Sequence, residues 1–392
     1  MSKSIKTYLK TAAKDYISRS VNPPVVRAST ILFKTMQELR KHQKNIAKGK
    51  EVEHWDYGRQ GTQTTVQLQK LLRGLEEAYQ VFLTPTGFGA VCLAIMSMCR
   101  PGDEIVISDG VYRPTQKLTD DLLKEFNVKA IWYNPNSFED LKSKITKKTK
   151  LIYVENPGSN TFEMQDLGKI VSLAKSKNIF TAIDNTWATA YFFKPLKLGF
   201  DMAITSATKY YSGHGDVMGG TVAVNKKVYK KVWWYNHLSG YRLSPDDAYL
   251  IIRGLRTLDI RMDKHQESTK KIINFLRKQK KISKILYPYK TASKEFKLWK
   301  KYYSGASGLL SLIIKSKSKN SVYKFVNKLE LFGIGYSWGG FESLAVYTDP
   351  VELGTRHYFK FEKNEHLVRL HIGLEDPKDL INDLKNSLKF IK

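Results

Sequence analysis

Residues 183–220 read IDNTWATAYFFKPLKLGFDMAITSATKYYSGHGDVMGG and hold the most chemically informative side chains in the chain. Asp184 closes one apolar, strand-like run. Lys209 follows the next, directly after Ser206-Ala207-Thr208. If the two strands run parallel in one sheet, their carboxyl ends open on the same edge, where open α/β sheets bind ligands. A carboxylate and an amine so placed suit pyridoxal phosphate. The amine forms the Schiff base, and the carboxylate keeps the pyridine nitrogen protonated so that the ring accepts electrons. Ser206 and Thr208 add hydroxyls for the phosphate. For either Asp184 or Lys209 alone, the plainer alternative holds: an N-cap and a solvated residue at a helix start.

Two further features tilt the balance. Thr84-Pro-Thr-Gly87-Phe88-Gly89 lies between a strand-like run and the helical stretch 90–99. Small residues with free amides at a helix start form an anion site suited to phosphate. Gly87-x-Gly89 lacks the third glycine of a dinucleotide fingerprint, so a Rossmann reading is weak. Tyr112 follows the apolar run 104–108, where an aromatic ring can stack on a flat cofactor or simply pack.

These residues need a scaffold, and the pattern supplies one. Apolar runs at 78–84, 104–108, 128–133, 151–155, 180–184, 202–206 and 221–224 are separated mostly by longer helical stretches. Near-continuous apolar strands alternating with helices mark an α/β chain with a mainly parallel sheet covered on both faces. Ser244-Pro245-Asp246-Asp247 supplies an N-cap, a first-turn proline and two acids. Ala248, Ile251, Ile252, Leu255, Leu258 and Met262 follow at helical spacing. That helix leads toward a smaller C-terminal domain with strand candidates at 309–314, 343–346 and 368–372. Residues 1–60 are polar, irregular and contain Asn22-Pro23-Pro24, and read as an arm.

The chain has 392 residues, 42% hydrophobic and 26% charged, a globular balance with length for more than one domain. Its formal charge of +28 invites a nucleic-acid reading. The basic residues are, however, 51 Lys and 14 Arg, with no Arg between Arg113 and Arg242. Arg reads phosphates and guanine edges bidentately, whereas scattered Lys mostly solvates a surface. No nucleic-acid-binding motif is present, so a basic nucleic-acid binder is the weaker reading, and no nucleic-acid partner is expected. No apolar run is long enough to span a membrane. The basic N-terminus lacks an apolar core, and Asp15 argues against a transit peptide. Cys92 and Cys99, seven positions apart on a helix, sit about 10 Å apart, too far for a disulfide. A cytoplasmic protein is expected. His42 and His54 show no ligand spacing, and no metal site is expected. His214, in a glycine-rich turn, reads as a hydrogen-bonding loop residue. Trp233-Trp234-Tyr235 either borders the cleft or packs.

The segment ITSATKYYSGHGDVMGG resembles the cofactor-lysine motif of the Cys/Met-metabolism family of pyridoxal-phosphate enzymes. VVRASTILF, YGRQGTQT, VYRPTQ, VENPGSNTFEMQD, RGLRTL, YSWGGFESL and VRLHIGLED match in order, from about residue 21 to 379. Within the family the chain most resembles the cystathionine β-lyase branch. The γ-synthase and γ-lyase branches, the nearest alternative, usually carry Asn-Pro-Thr where this chain reads Gly61-Thr62-Gln63-Thr64. The resemblance implies a fold-type I (aspartate-aminotransferase-like) architecture. Residues 1–60 would be an arm serving the neighbouring subunit's site, 61–255 the cofactor domain and 256–392 the C-terminal domain. It further implies a dimer, commonly half of a homotetramer.

By the same resemblance, Lys209 is the Schiff-base lysine and proton shuttle, Asp184 pairs with the pyridinium, and Tyr112 stacks on the ring. Gly87, Phe88, Ser206 and Thr208 hold the phosphate, with Tyr57 and Arg59 reaching it from a neighbouring subunit. Asn156 lies near the phenolic oxygen. Arg369 clamps the substrate α-carboxylate, and Ser337 and Trp338 line the substrate side. The implied reaction is β-elimination of L-cystathionine to homocysteine, pyruvate and ammonia in methionine biosynthesis. The chain departs from the branch at Asp56, Gln60, Arg113 and Lys117; either these face the distal half of the substrate, or Arg113 and Lys117 point to solvent and the pocket is ordinary. In the first case, recognition leans on the proximal half, which predicts tolerance of smaller β-substituted substrates, breadth toward cysteine S-conjugates, and alanine racemisation as a side activity.

Overall fold

A computed structural model describes residues 3–13, 20–48, 55–289, 293–349, 353 and 356–392; Asp15 and His54 lie outside them. Seven strands form the larger sheet: β1 (Gln80–Thr84), β2 (Glu104–Ser108), β3 (Lys129–Tyr133), β4 (Thr149–Glu155), β5 (Phe180–Asp184), β6 (Met202–Ser206) and β7 (Gly220–Val224). Their order is β1-β7-β6-β5-β4-β2-β3. The strands from β2 to β6 pair in parallel, whereas β7 runs antiparallel to both β1 and β6. The expected strand positions therefore hold, in a mixed sheet with one reversed member.

The near-continuous apolar character of these strands has a direct cause. Successive side chains of a strand point to opposite faces. In β5 and β6, Ile183 and Ala203 join one core cluster, whereas Ala182, Met202 and Ile204 join a second on the other face. Both faces are covered, so neither can be polar.

The smaller sheet contains β8 (Ile282–Leu286), β9 (Leu309–Lys315), β10 (Leu344–Thr348) and β11 (Glu365–His371), in the antiparallel order β10-β11-β9-β8. Sequence pattern misses β8. It is an edge strand with its central residues exposed, so ISKIL carries no regular alternation.

The arm is not uniform. Helix α1 (Ile5–Thr11) docks on the body with Leu9 fully buried. The Tyr8 hydroxyl donates to Leu71 O at 2.9 Å, and Arg256 donates to Leu9 O at 2.8 Å. Helix α2 (Met36–Ala47) buries no residue. Helix α3 (Gln63–Glu76) starts the body, and α4 (Gly87–Met98) runs from the end of β1 with nine of its twelve residues buried. The short α5 (Arg113–Lys117) follows β2.

The run beginning at Ser244 folds as foreseen at its start, where Ser244 Oγ accepts from Asp247 N at 3.0 Å. It then resolves into two helices, Pro245–Arg256 and Leu258–Leu276. Thr257, at φ −113° and ψ 10°, leaves the helical region between them. The apolar spacing crosses this break, so periodicity alone reads one helix. Among the described residues, no helix is long and apolar enough to cross a membrane.

Candidate active site

Asp184 and Lys209 meet. Asp184 is the last residue of β5, and β6 ends three residues before Lys209 in the neighbouring parallel strand. Both side chains line one cavity of about 740 Å³. Asp184 accepts a hydrogen bond from Thr186 N at 2.9 Å. Desolvation raises its carboxyl above the ordinary value, opposed by the Thr186 contacts and the Lys209 charge. Asp184 caps no helix, so the plainer alternative fails there.

It fails for Lys209 as well. Burial, reinforced by the Arg369 charge and opposed by Asp184, brings the amine down to about 8. Lys209 Nζ donates to Ser337 Oγ at 2.6 Å and stands 5.5 Å from the centre of the Trp338 ring. A lysine held this way reaches its neutral, nucleophilic form near physiological pH.

Another part of the cavity wall is shaped for an anion. Thr86 caps α4 by accepting from Gly89 N at 2.8 Å, leaving the amides of Gly87 and Phe88 at the helix start. A Cβ on Gly87 would lie 2.3 Å from Ser206 Oγ, so only glycine lets the helix start close on the end of β6. Phe88, Ser206 and Thr208 line the same wall. Thr208 Oγ1 accepts from Gly219 N at 3.0 Å, which fixes the loop after β6. Thr86 was missed in the sequence, although a Thr two residues after a strand and before Gly-Phe-Gly is an N-cap signal.

Tyr112 borders the cavity half-exposed, and its backbone N–H donates to Glu155 Oε2 at 2.7 Å. Glu155 also escaped sequence reading. It ends β4 in register with Asp184, and desolvation together with the Asp184 charge pushes its carboxyl well above the ordinary range. The signal was present, because Glu155 closes an apolar run as Asp184 does. Arg369 reaches the cavity from β11, and one of its Nη atoms donates to Ser337 O at 3.1 Å. Arg356 is a further buried cation on the wall, donating to Thr161 Oγ1 at 2.8 Å and 3.8 Å from Glu163. No local spacing announces it.

Three expected residues do not line this cavity. Asn156 is fully buried, with Nδ2 donating to the Tyr303 hydroxyl at 2.7 Å and Oδ1 accepting from Gln165 N at 2.8 Å. Tyr57 and Arg59 lie together outside it, with the guanidinium 5.9 Å from the Tyr57 ring centre. Of the four unusual residues, Arg113 alone lines the cavity. Lys117 is exposed on α5, Asp56 accepts from Gln43 at 3.3 Å, and Gln60 borders a separate small recess. Trp233 stacks on His237 and the Tyr235 hydroxyl meets Met96 Sδ, whereas Trp234 is exposed, and none of the three lines the cavity. His214 Nδ1 lies 2.7 Å from Ser212 O, as a loop-bonding residue should.

The sequence model of the Cys/Met metabolism PLP-dependent enzymes matches residues 6–389. The chain belongs to this family. Within it, the chain is 34% identical over 388 residues to the cystathionine beta-lyase of Escherichia coli K12, covering 97% of each protein. It is also 34% identical to the L-alanine/L-glutamate racemase of Wolbachia pipientis wMel, covering 94% of this chain and 92% of that one. A crystal structure of cystathionine gamma synthase from Xanthomonas oryzae pv. oryzae, in complex with aminoacrylate and cysteine, superposes with a TM-score of 0.90. That structure is 27% identical and covers 100% of this chain and 99% of its own. Enzymes of this Cys/Met metabolism family depend on pyridoxal phosphate. The residues present fit that cofactor, with a lowered amine, a carboxylate on the same sheet edge and an anion cradle that a Cβ at Gly87 would fill.

Proposed function

We propose that the protein is a carbon–sulfur lyase acting on L-cystathionine by β-elimination, yielding homocysteine, pyruvate and ammonia in methionine biosynthesis. The Escherichia coli relative carries this reading, and the site supports it: Lys209 shares a cavity with the Arg369 guanidinium. Arg369 pairs with the substrate α-carboxylate through a bidentate contact. That contact presents the α-hydrogen to Lys209, whose neutral amine takes it as general base. The bound cofactor supplies the electron sink for the pair left at Cα. As the Cβ–S bond breaks, the pair forms the Cα–Cβ double bond and the sulfur leaves as a thiolate, which takes a proton to become homocysteine; the released aminoacrylate takes up water to give pyruvate and ammonia. Asp184 would hold the pyridine nitrogen of the cofactor, Tyr112 its ring, and Gly87, Phe88, Ser206 and Thr208 its phosphate; all of them line the cavity. Asn156, fastened to Tyr303 and Gln165 behind the cavity wall, would steady that wall on the side of the cofactor's phenolic oxygen.

The E. coli relative supports the β-lyase reading over its nearest alternative, γ-cleavage, which the Xanthomonas neighbour keeps in view. Product analysis on L-cystathionine separates them. Pyruvate and homocysteine are expected; 2-oxobutyrate and cysteine overturn the β-lyase assignment. The Wolbachia relative favours a second activity. Partial desolvation and the Glu155 charge raise the Tyr112 phenol above its ordinary value, so it stays protonated; stacked on the ring face opposite Lys209, it would reprotonate Cα from that side. L-Alanine, which has no leaving group, is then expected to exchange its α-hydrogen with deuterium and yield D-alanine. Exchange without inversion refutes the two-face arrangement.

A further inference from the structure

The turn Ser337-Trp338-Gly339-Gly340 holds two left-handed backbone positions, Ser337 at φ 88° and Gly339 at φ 89°. A side-chain-bearing residue persists in that region only where its surroundings hold it there. The turn rests directly on the cofactor lysine. A Cβ on Gly339 would lie 2.9 Å from Tyr210 N and 3.0 Å from Lys209 C. From this perch Ser337 Oγ meets Lys209 Nζ at 2.6 Å.

Strand β11 supplies the restraint. Arg369 and His371 are two residues apart on it, and therefore share a face. Arg369 binds the first residue of the turn, at Ser337 O. His371 binds the last two, with Nε2 3.1 Å from Gly339 N and 3.2 Å from Gly340 O. In a neutral imidazole, Nε2 either accepts from the first or donates to the second, so both tautomers tie the ring to the turn. His371 is buried and does not line the cavity. Its ring packs against Tyr210 and His265, with centroids 5.9 and 5.2 Å away. His265 is itself anchored, with Nδ1 2.8 Å from Ile372 O. Burial and the facing His265, Arg369 and Lys209 keep His371 neutral, so it is a hydrogen-bonding support and not a base.

We propose that His371 is a positioning residue for the chemistry at Lys209: it fixes the Ser337–Gly340 turn and thereby sets the Ser337 Oγ–Lys209 Nζ contact. This rests on Lys209 as the cofactor lysine, and the test separates the two. The holoenzyme is compared as parent, His371→Leu, His371→Gln, Ser337→Ala and the Ser337→Ala/His371→Leu double variant. Turnover and the pH dependence of the visible band of lysine-bound cofactor are both read.

Misplacing a catalytic group by about 1 Å costs on the order of 100-fold. His371→Leu is accordingly expected to lower kcat by roughly 10- to 100-fold, with KM nearly unchanged, and to move the band's pH midpoint. His371→Gln, which keeps a donor and an acceptor at the end of its side chain, restores most of both. In the Ser337→Ala background the leucine change adds no further loss, because the contact is already absent. If the leucine variant does not fold, His371→Asn, whose reach to the turn is shorter, takes its place.

An unmoved midpoint and parental kcat in His371→Leu overturn the proposal. So does an equal fall in the Leu and Gln variants with only Tm lowered, or full additivity with Ser337→Ala. Retention of the band in Lys209→Ala overturns the lysine assignment, and the positioning role with it.

Discussion

Lys209 sits between two influences of opposite sign: burial and Arg369 lower its pKa, while Asp184 raises it, and the result is about 8 in place of 10.5. The neutral amine, the form that attacks a carbonyl, therefore becomes abundant near pH 8. Cofactor uptake by apoprotein is expected to accelerate as pH rises through 8 and to level off above it. Stopped-flow absorbance checks this, and a rise that begins only near pH 10 would contradict the buried environment. Lys209→Ala is expected to lose elimination by several orders of magnitude, because one residue provides both anchor and base. Near-normal turnover in that variant would sink the assignment. Gly87 offers an independent check. A methyl group there would press on Ser206 Oγ at 2.3 Å, so Gly87→Ala is expected to weaken cofactor retention, with a stability cost of about 1–3 kcal/mol from overpacking. Equilibrium dialysis of the holoenzyme measures the retention.

At the scale of elements, the loop after Lys209 is pinned by backbone-to-backbone contact. The Pro245–Arg256 helix presents Gly254 to it, and a Cβ there would lie 2.2 Å from Ser212 O and 2.3 Å from Tyr211 O. Arg261, buried on the next helix, donates to Tyr210 O at 2.8 Å and to Gly254 O at 2.6 Å. Carbonyls cannot step aside as a side chain can, so Gly254→Ala must push the helix from the loop. Overpacking of this kind costs about 1–3 kcal/mol. Urea unfolding is expected to show a lower midpoint, accompanied by reduced turnover because the displaced loop begins at Lys209. Parental stability would mean that the helix is free to shift.

At the scale of the molecule, Tyr57 and Arg59 stand outside the cavity of their own chain. That position suits service to a neighbouring subunit, and on it we propose a dimer; pairing of dimers into a homotetramer rests on the family resemblance alone. Arg59→Ala is expected to hold cofactor weakly as a folded protein. Mixed with Lys209→Ala and reassembled, it should regain activity through hybrid dimers that contain one intact composite site, up to about a quarter of parent by random pairing. Full activity in a strictly monomeric fraction would remove the arrangement.

Local chemistry made much of this legible in advance. Asp184, Lys209 and the Gly87 turn could be read because each lies at a strand end or helix start, where residue type and neighbours along the chain specify the conformation. The strands of the large sheet could be read because burial on both faces demands continuous apolar residues. What had no local signature was settled by packing. The edge strand β8 exposes its middle, and the reversed direction of β7 leaves the same apolar run as a parallel strand would. Thr257 breaks a helix without breaking its apolar spacing. Arg356 and His371 act through partners far along the chain. Of the unusual charges, Arg113 lines the cavity and Lys117, four positions further on in the same short helix, does not. Sequence specifies which groups are available and how each segment bends; which of them share a desolvated cavity depends on contacts between segments distant in the chain.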